Sequence, residues 1–129
     1  MYRVTLNSDT APAAVGPYSQ AVRVSGELLF ISGQVALDAA SGELVGTSAA
    51  EQARKCLENL HAIATDAGSS LEDAVKITVY LTDIAAYPEV NEVYAGFFKH
   101  DPPARVALAV AALPKGAQVE IDAVIAVGA

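Results

Sequence analysis

Two charged side chains in the last third of the chain could take part in chemistry, and the first is Arg105. It follows two prolines and precedes an apolar run, in the stretch PPARVALAV at 102–110. A guanidinium at the start of a buried strand needs a partner, because removing its hydration costs several kcal/mol. Its planar fork of N–H donors matches a carboxylate through two parallel hydrogen bonds. The sequence leaves two kinds of partner open: a protein carboxylate such as Asp101 or Glu120, or the acid group of a small ligand.

Glu120 is the second candidate, because its carboxylate lies on the strand predicted to follow that of Arg105. Strands are predicted over 106–113 and 119–127, and in the second strand Glu120 and Asp122 alternate with bulky apolar residues. If the bulky residues of both strands face the helices, Arg105 and Glu120 lie on the same face of the sheet.

Alternation of apolar and polar residues, together with turn residues between the segments, predicts the remaining strands. They fall at 2–6, at 21–24, at 28–32 and at 74–81. The second and third of these flank Ser25-Gly26-Glu27, a turn sequence typical of a β-hairpin.

Two amphipathic helices complete the predicted fold. A capping box at 48–51, an apolar stripe after it and Gly68 at its end predict a helix over 48–67. Pro88 suits the first turn of a second helix near 88–99. Two helices can cover one face of a sheet of at least five strands, which gives an α+β fold. The other face, rich in alanine with a few charges, suits contact with another copy of the chain, so we expect a homo-oligomer.

Composition narrows the possible functions. The 129 residues suit one domain, 1–129, and the net charge of −7 with scattered basic residues disfavours nucleic acid. A single cysteine, Cys56, permits no internal disulfide, and no uncharged apolar run approaches the ~20 residues of a membrane span. His61 and His100 make no metal-ligand cluster, and no phosphate-binding loop is present. We therefore expect a cytoplasmic protein without membrane attachment, metal or cofactor.

Five stretches of the sequence resemble the Rid (YjgF) family, in matching order and similar spacing. They are GPYSQAV (16–22), ISGQ (31–34), YPEVNEVYAGFF (87–98), PPAR (102–105) and ALPKGAQVEIDAV (112–124). The resemblance implies a chorismate-mutase-like fold, with two helices on one face of a mixed sheet, in a homotrimer whose sites lie between subunits. It also implies an enamine/imine deaminase, a hydrolase that converts 2-aminoacrylate, 2-iminopropanoate and 2-iminobutanoate to 2-keto acids and ammonia.

The same resemblance implies six site residues. They are the catalytic residues Arg105, which binds the carboxylate, Glu120, which orients or activates water, and Tyr18, with Gly33, Asn91 and Ala107 as substrate-binding residues. The best-known members carry a cysteine where this chain has Ala107. Chemistry that needs this thiol is therefore excluded, and only the backbone of Ala107 can contribute.

Two other functions stay open at this stage. A non-catalytic trimer that binds keto acids or amino acids and regulates a partner would use Arg105 equally well. Some family members have been described as endoribonucleases or translation inhibitors, but the acidic charge balance disfavours this function here.

Overall fold

Strands and helices follow one another in an α+β arrangement, which the computed structural model describes for residues 2–128. The elements are β1 (Tyr2–Leu6), β2 (Ala21–Ser25), β3 (Leu28–Val35), α1 (Ala49–Asp66), β4 (Ala74–Leu81), α2 (Tyr87–Phe97), β5 (Ala104–Ala109) and β6 (Val119–Ala126). The predicted helices and strands are all present, although β5 ends earlier than the sequence pattern suggested. No helix within 2–128 is long and apolar enough to cross a membrane.

A four-stranded sheet in the order β3-β6-β4-β5 carries both helices on one face. The sheet is mixed, because β4 and β5 run parallel while the other neighbours are antiparallel. Alternate residues of β4 and β6, such as Ile77, Val79 and Ile121, are buried under the helices. The prediction of a mixed sheet with two helices on one face is confirmed, but the sheet has four strands and not the expected five or more, because β1 and β2 pair separately.

The ends of α1 form as the sequence predicts. The Ser48 hydroxyl accepts a hydrogen bond from the Glu51 amide at 3.1 Å, and the Glu51 carboxylate accepts one from the Ser48 hydroxyl at 3.1 Å. At the other end Gly68 adopts φ +78°, and the Ser69 amide donates to the Ala64 carbonyl at 2.8 Å. Both ends of the helix that covers β6 are therefore capped.

The predicted hairpin between β2 and β3 is wrong. β2 pairs with β1 in a separate two-stranded ribbon, while β3 pairs with β6. Gly26 has φ +110°, and the Glu27 carbonyl accepts from the Val127 amide at 3.0 Å. The turn carries the chain from the ribbon into the sheet instead of folding it back. The Arg3 guanidinium ties the ribbon to the start of β4, since its Nη2 donates to the Ala74 carbonyl at 2.7 Å.

The predicted orientation of β5 is also wrong. Arg105 pairs with Ile77 and Ala107 with Val79, so these β5 residues face the helices. The bulky Val106 and Leu108 point to the uncovered face and are 44% and 36% exposed. Strand pairing with β4 fixes this orientation, because directly paired residues share a face of the sheet.

Candidate functional site

The Arg105 guanidinium is held by two uncharged side chains. Its Nη1 donates to Asn91 Oδ1 at 2.6 Å, and its Nη2 donates to the Tyr87 hydroxyl at 2.6 Å. Among residues 2–128 no acidic side chain pairs with it, so the ion pair with Asp101 or Glu120 that the sequence left open does not form. A guanidinium has five N–H donors, and these contacts use two of them. Its other three donors make no hydrogen bond within residues 2–128, and its charge has no acidic partner there.

Three tyrosine rings surround this guanidinium. The distance from Arg105 Cζ to the ring centroid is 5.2 Å for Tyr18, 5.5 Å for Tyr87 and 4.8 Å for Tyr94. The faces of aromatic rings attract a cation without neutralising it. Tyr94 is fully buried and packs on Phe98 with centroids 4.7 Å apart. Burial raises the pKa of the Tyr94 hydroxyl and the Arg105 charge lowers it, with burial the larger effect, so the phenol stays neutral.

Helix α2 positions most of these groups. Tyr87, Asn91 and Tyr94 follow the spacing i, i+4 and i+7, which places them on one face of the helix. Sequence reasoning assigned neither Tyr87 nor Tyr94 to a site, because Tyr94 belongs to the apolar pattern of the predicted helix and Tyr87 precedes that helix. The same spacing, combined with the polar Asn91 between them, could have indicated a site.

Tyr18 reaches the guanidinium because the chain beside it runs along β5. The Ser19 amide donates to the Pro103 carbonyl at 3.1 Å, and Ser19 forms a parallel bridge with Ala104. Gly16 keeps this segment close, since a Cβ there would lie 3.3 Å from Tyr18 Cε2. The Tyr18 hydroxyl accepts from the Val15 amide at 3.2 Å.

An open cleft of about 690 Å³ lies beside the guanidinium. It is lined by Tyr18, Ile84, Ala85, Tyr87, Pro88, Arg105, Val106 and Ala107. The N-terminus of α2 lies at its edge and adds a partial positive charge to that of Arg105. This size and the mostly apolar wall around one cation suit a small organic anion.

Glu120 and Gly33 form a second group, on the uncovered face of the sheet. Glu120 pairs with Tyr80 of β4, whereas its neighbours Val119 and Ile121 are buried under the helices. The Glu120 side chain lies on the Gly33 backbone so closely that a Cβ at Gly33 would be 2.8 Å from Glu120 Cδ. Glycine at 33 therefore makes room for this carboxylate.

The groups around Glu120 show no competing nucleophile. The Tyr80 hydroxyl donates to Asp122 Oδ2 at 3.0 Å, and this hydrogen bond raises the pKa of Tyr80. On the helix side of β6, burial raises the pKa of Cys56 to about 12, with Glu120 adding to the effect. The thiol is inert, and the carboxylates of Glu120 and Asp122 are the groups in this region that can accept a proton.

The six predicted site residues thus fall into two groups. Four of them meet at the cleft beside α2: Tyr18, Asn91, Arg105 and Ala107. Gly33 and Glu120 lie on the opposite face of the sheet, so the prediction that Arg105 and Glu120 share a face within one chain is wrong.

The family model described as Endoribonuclease L-PSP matches residues 8–127. The chain belongs to this family, the Rid (YjgF) family. RutC family protein y4sK of Sinorhizobium fredii is 54% identical over 120 residues, which cover 93% of this chain and 94% of the relative. The human 2-iminobutanoate/2-iminopropanoate deaminase is 46% identical, over 96% of this chain and 90% of its own length. The structure of RidA from the Antarctic bacterium Psychrobacter sp. PAMC 21119 is 45% identical, with a TM-score of 0.75 over 96% of this chain and 99% of that one.

Proposed function

We propose that this protein hydrolyses short 2-imino and 2-enamine acids, such as 2-aminoacrylate, 2-iminopropanoate and 2-iminobutanoate, to 2-keto acids and ammonia. The observation that carries the proposal is the Arg105 guanidinium, which uncharged partners hold at an open cleft. A cation that no acidic side chain within residues 2–128 compensates favours the carboxylate of a ligand. The names of the human and other mammalian relatives support this substrate class.

The proposed reaction needs few protein groups. Arg105 binds the substrate carboxylate and so fixes the adjacent C=N carbon, which is the electrophile. The oxygen of a water attacks that carbon, and Glu120 takes the proton that the water loses. Glu120 passes that proton to the former imine nitrogen, which gives a neutral carbinolamine. The carbinolamine hydroxyl then loses its proton to Glu120 as the C=O bond forms and the C–N bond breaks with its electron pair on nitrogen, and Glu120 passes this second proton to the departing nitrogen, which leaves as ammonia. An enamine such as 2-aminoacrylate tautomerises to its imine before the water attacks.

We further propose that Arg105 of one copy and Glu120 of a neighbouring copy form one site, in a homotrimer of the chorismate-mutase-like type. Within a single chain the sheet separates the two side chains. The uncovered face around Glu120 also exposes apolar side chains, with Phe30 73% exposed and Val106 44% exposed. Exposed apolar surface of this kind favours burial against another copy.

The primary experiment generates 2-aminoacrylate in situ with a pyridoxal-phosphate-dependent dehydratase and follows release of keto acid and ammonia. Wild type should accelerate release, and Arg105→Ala should return it to the uncatalysed rate. Arg23→Ala is the matched control, because this arginine is exposed on β2 and should leave the rate unchanged. A full rate with Arg105→Ala would contradict the proposal.

Mixing two inactive variants tests whether the site is shared between copies. Arg105→Ala and Glu120→Gln chains, unfolded together in equal amounts and refolded, should recover about one quarter of the wild-type activity, because one neighbouring pair in four then combines an intact Arg105 with an intact Glu120. Each variant refolded alone should stay inactive. Absence of recovery in mixed oligomers would show that both groups act within one copy.

A binding protein without turnover is the second candidate function. Ala107 favours it, since this chain lacks the thiol found at that position in the best-known members. Tight binding of 2-oxobutanoate by the wild type, with no acceleration in the dehydratase assay, would replace deamination with this function.

A further inference from the structure

The geometry points to Tyr87 as a second donor to the substrate carboxylate, acting beside Arg105. This inference rests on the proposed function, because it concerns the same cleft. The Tyr87 hydroxyl oxygen accepts the Arg105 Nη2 hydrogen bond at 2.6 Å, and the Tyr87 side chain lines the cleft. Sequence reasoning assigned the site tyrosine to Tyr18 instead.

The direction of the Tyr87 hydroxyl proton follows from that hydrogen bond. The phenol oxygen turns a lone pair towards the cation, so its own O–H points away from Arg105. Among residues 2–128 this hydroxyl has no further hydrogen-bond partner, so its proton remains for a ligand. Accepting from a cation also polarises the O–H bond and makes it a stronger donor. A carboxylate bound by Arg105 therefore meets both the guanidinium and a phenol proton.

Neither of the other two tyrosines at the guanidinium accepts a hydrogen bond from it. The Tyr18 hydroxyl accepts instead from the Val15 amide of its own loop at 3.2 Å. The buried Tyr94 hydroxyl has no hydrogen-bond partner among residues 2–128 and does not line the cleft. Within that part of the chain, Tyr87 is therefore the tyrosine whose hydroxyl the Arg105 charge polarises.

The first measurement is binding of 2-oxobutanoate, a stable keto acid, by calorimetry. Loss of a hydrogen bond to a charged group should raise the Kd of Tyr87→Phe about tenfold or more. Tyr2→Phe is the matched control and should keep the wild-type Kd, since Tyr2 lies on β1, is 42% exposed and does not line the cleft. Thermal melting of both variants checks that they fold, which we expect because each keeps its aromatic ring.

The second measurement is steady-state deamination of 2-aminoacrylate. Tyr87→Phe should raise KM by a similar factor and leave kcat within about threefold, because the carboxylate contact is the same in the ground state and the transition state. A merely structural role in α2 would lower the melting temperature and the active fraction without this separation of KM from kcat.

The outcomes separate this inference from the proposed function. If Arg105→Ala abolishes turnover but Tyr87→Phe matches wild type in both assays, the role of Tyr87 is refuted and the deaminase stands. If wild type shows no turnover but Tyr87→Phe weakens binding of 2-oxobutanoate, the deaminase is refuted and Tyr87 stands as a carboxylate donor. Wild type with neither binding nor turnover would overturn both.

Discussion

Replacing Gly33 with alanine tests the role of Glu120 without touching the carboxylate itself. A Cβ at position 33 would lie 2.8 Å from Glu120 Cδ and 3.1 Å from Cγ, whereas ordinary contact begins near 3.4 Å. The added methyl must therefore displace the Glu120 carboxylate by more than half an ångström. Gly33 is exposed and has no positive φ, so alanine fits the backbone at that position.

The size of the effect follows from this displacement. Misplacement of a catalytic group by about 1 Å can reduce the rate on the order of 100-fold, so kcat of Gly33→Ala should fall by about 10- to 100-fold. Binding of 2-oxobutanoate should change little, because the substitution leaves Arg105 and its partners Asn91 and Tyr87, which hold the carboxylate-binding guanidinium, unchanged. The free energy of unfolding should stay within about 1 kcal/mol of wild type, since removing a strand glycine offsets part of the local strain.

The assay compares kcat in the dehydratase-coupled reaction with urea denaturation of the same preparations. Gly96→Ala is the matched control. Gly96 lies in α2 with no atom within 4 Å of a Cβ added there, so alanine should leave kcat unchanged and stabilise the protein by about 0.5–1 kcal/mol.

A second comparison identifies the group through which Gly33→Ala acts. Glu120→Gln should also lower kcat, and the double variant should be no slower than the slower single variant, because both changes remove the same function. If Gly33→Ala keeps the wild-type kcat, the position of Glu120 does not matter for the rate and the proposed base is wrong. Additive losses would mean that the two residues act independently.

Three further predictions concern the α1 cap, the buried thiol and the uncovered face. Ser48→Ala should lower the free energy of unfolding by about 1 kcal/mol at pH 7 in urea denaturation. Hydrogen bonds from Ser48 and Thr47 lower the pKa of Glu51, so the carboxylate's share of this stabilisation is present above the ordinary value of 4.5 and is lost as pH falls through the folded value. The bond from the Glu51 amide to the Ser48 hydroxyl does not titrate, so Ser48→Ala should cost less at pH 3 than at pH 7, and an equal loss would contradict this. With its pKa near 12, Cys56 should not react with a thiol reagent at pH 8 until urea unfolds the chain, and rapid native labelling would refute its burial. Phe30→Asp should sediment as a smaller species than wild type and lose deamination, whereas unchanged sedimentation would remove this face from the proposed interface.

Much of the fold could be predicted because its determinants are local. The capping box at 48–51 and Gly68 fixed both ends of α1, and Pro88 indicated the start of α2. Alternation of apolar residues with polar or smaller ones located β4 and β6, since each of these strands has one face under the helices.

The two wrong predictions, the β2–β3 hairpin and the orientation of β5, concern features that contacts between distant parts of the chain determine. A turn at 25–27 says that the chain bends, but the choice of β1 as the partner of β2 depends on contacts such as that of Arg3 with Ala74. The orientation of β5 was misjudged because bulk was taken as a sign of burial under the helices. Val106 instead contributes to the exposed apolar face, while Arg105 takes the helix side because α2 supplies neutral polar partners for it.

The residues of the candidate site could be predicted, but their arrangement in space could not. The resemblance to the family named six residues, and no pattern along the chain shows that the sheet divides them into two groups. Tyr87 is the clearest omission. Its contact with Arg105 spans 18 positions and depends on how α2 crosses β5, which residue spacing alone does not give.

The separation of Arg105 from Glu120 has a physical consequence for the proposed reaction. If both lay side by side in one chain, they would form an ion pair, and the carboxylate would occupy the donors that a substrate needs. The sheet prevents this, and Asn91 and Tyr87 hold the guanidinium without neutralising it. In the proposed trimer, a neighbouring copy brings Glu120 to the cleft at a distance fixed by the subunit interface. The substrate carboxylate then binds the guanidinium, and the imine carbon comes between the two charges, where a water held by Glu120 can attack it. An assembly of this kind keeps the acid that activates water close enough to react and too far away to compete with the substrate.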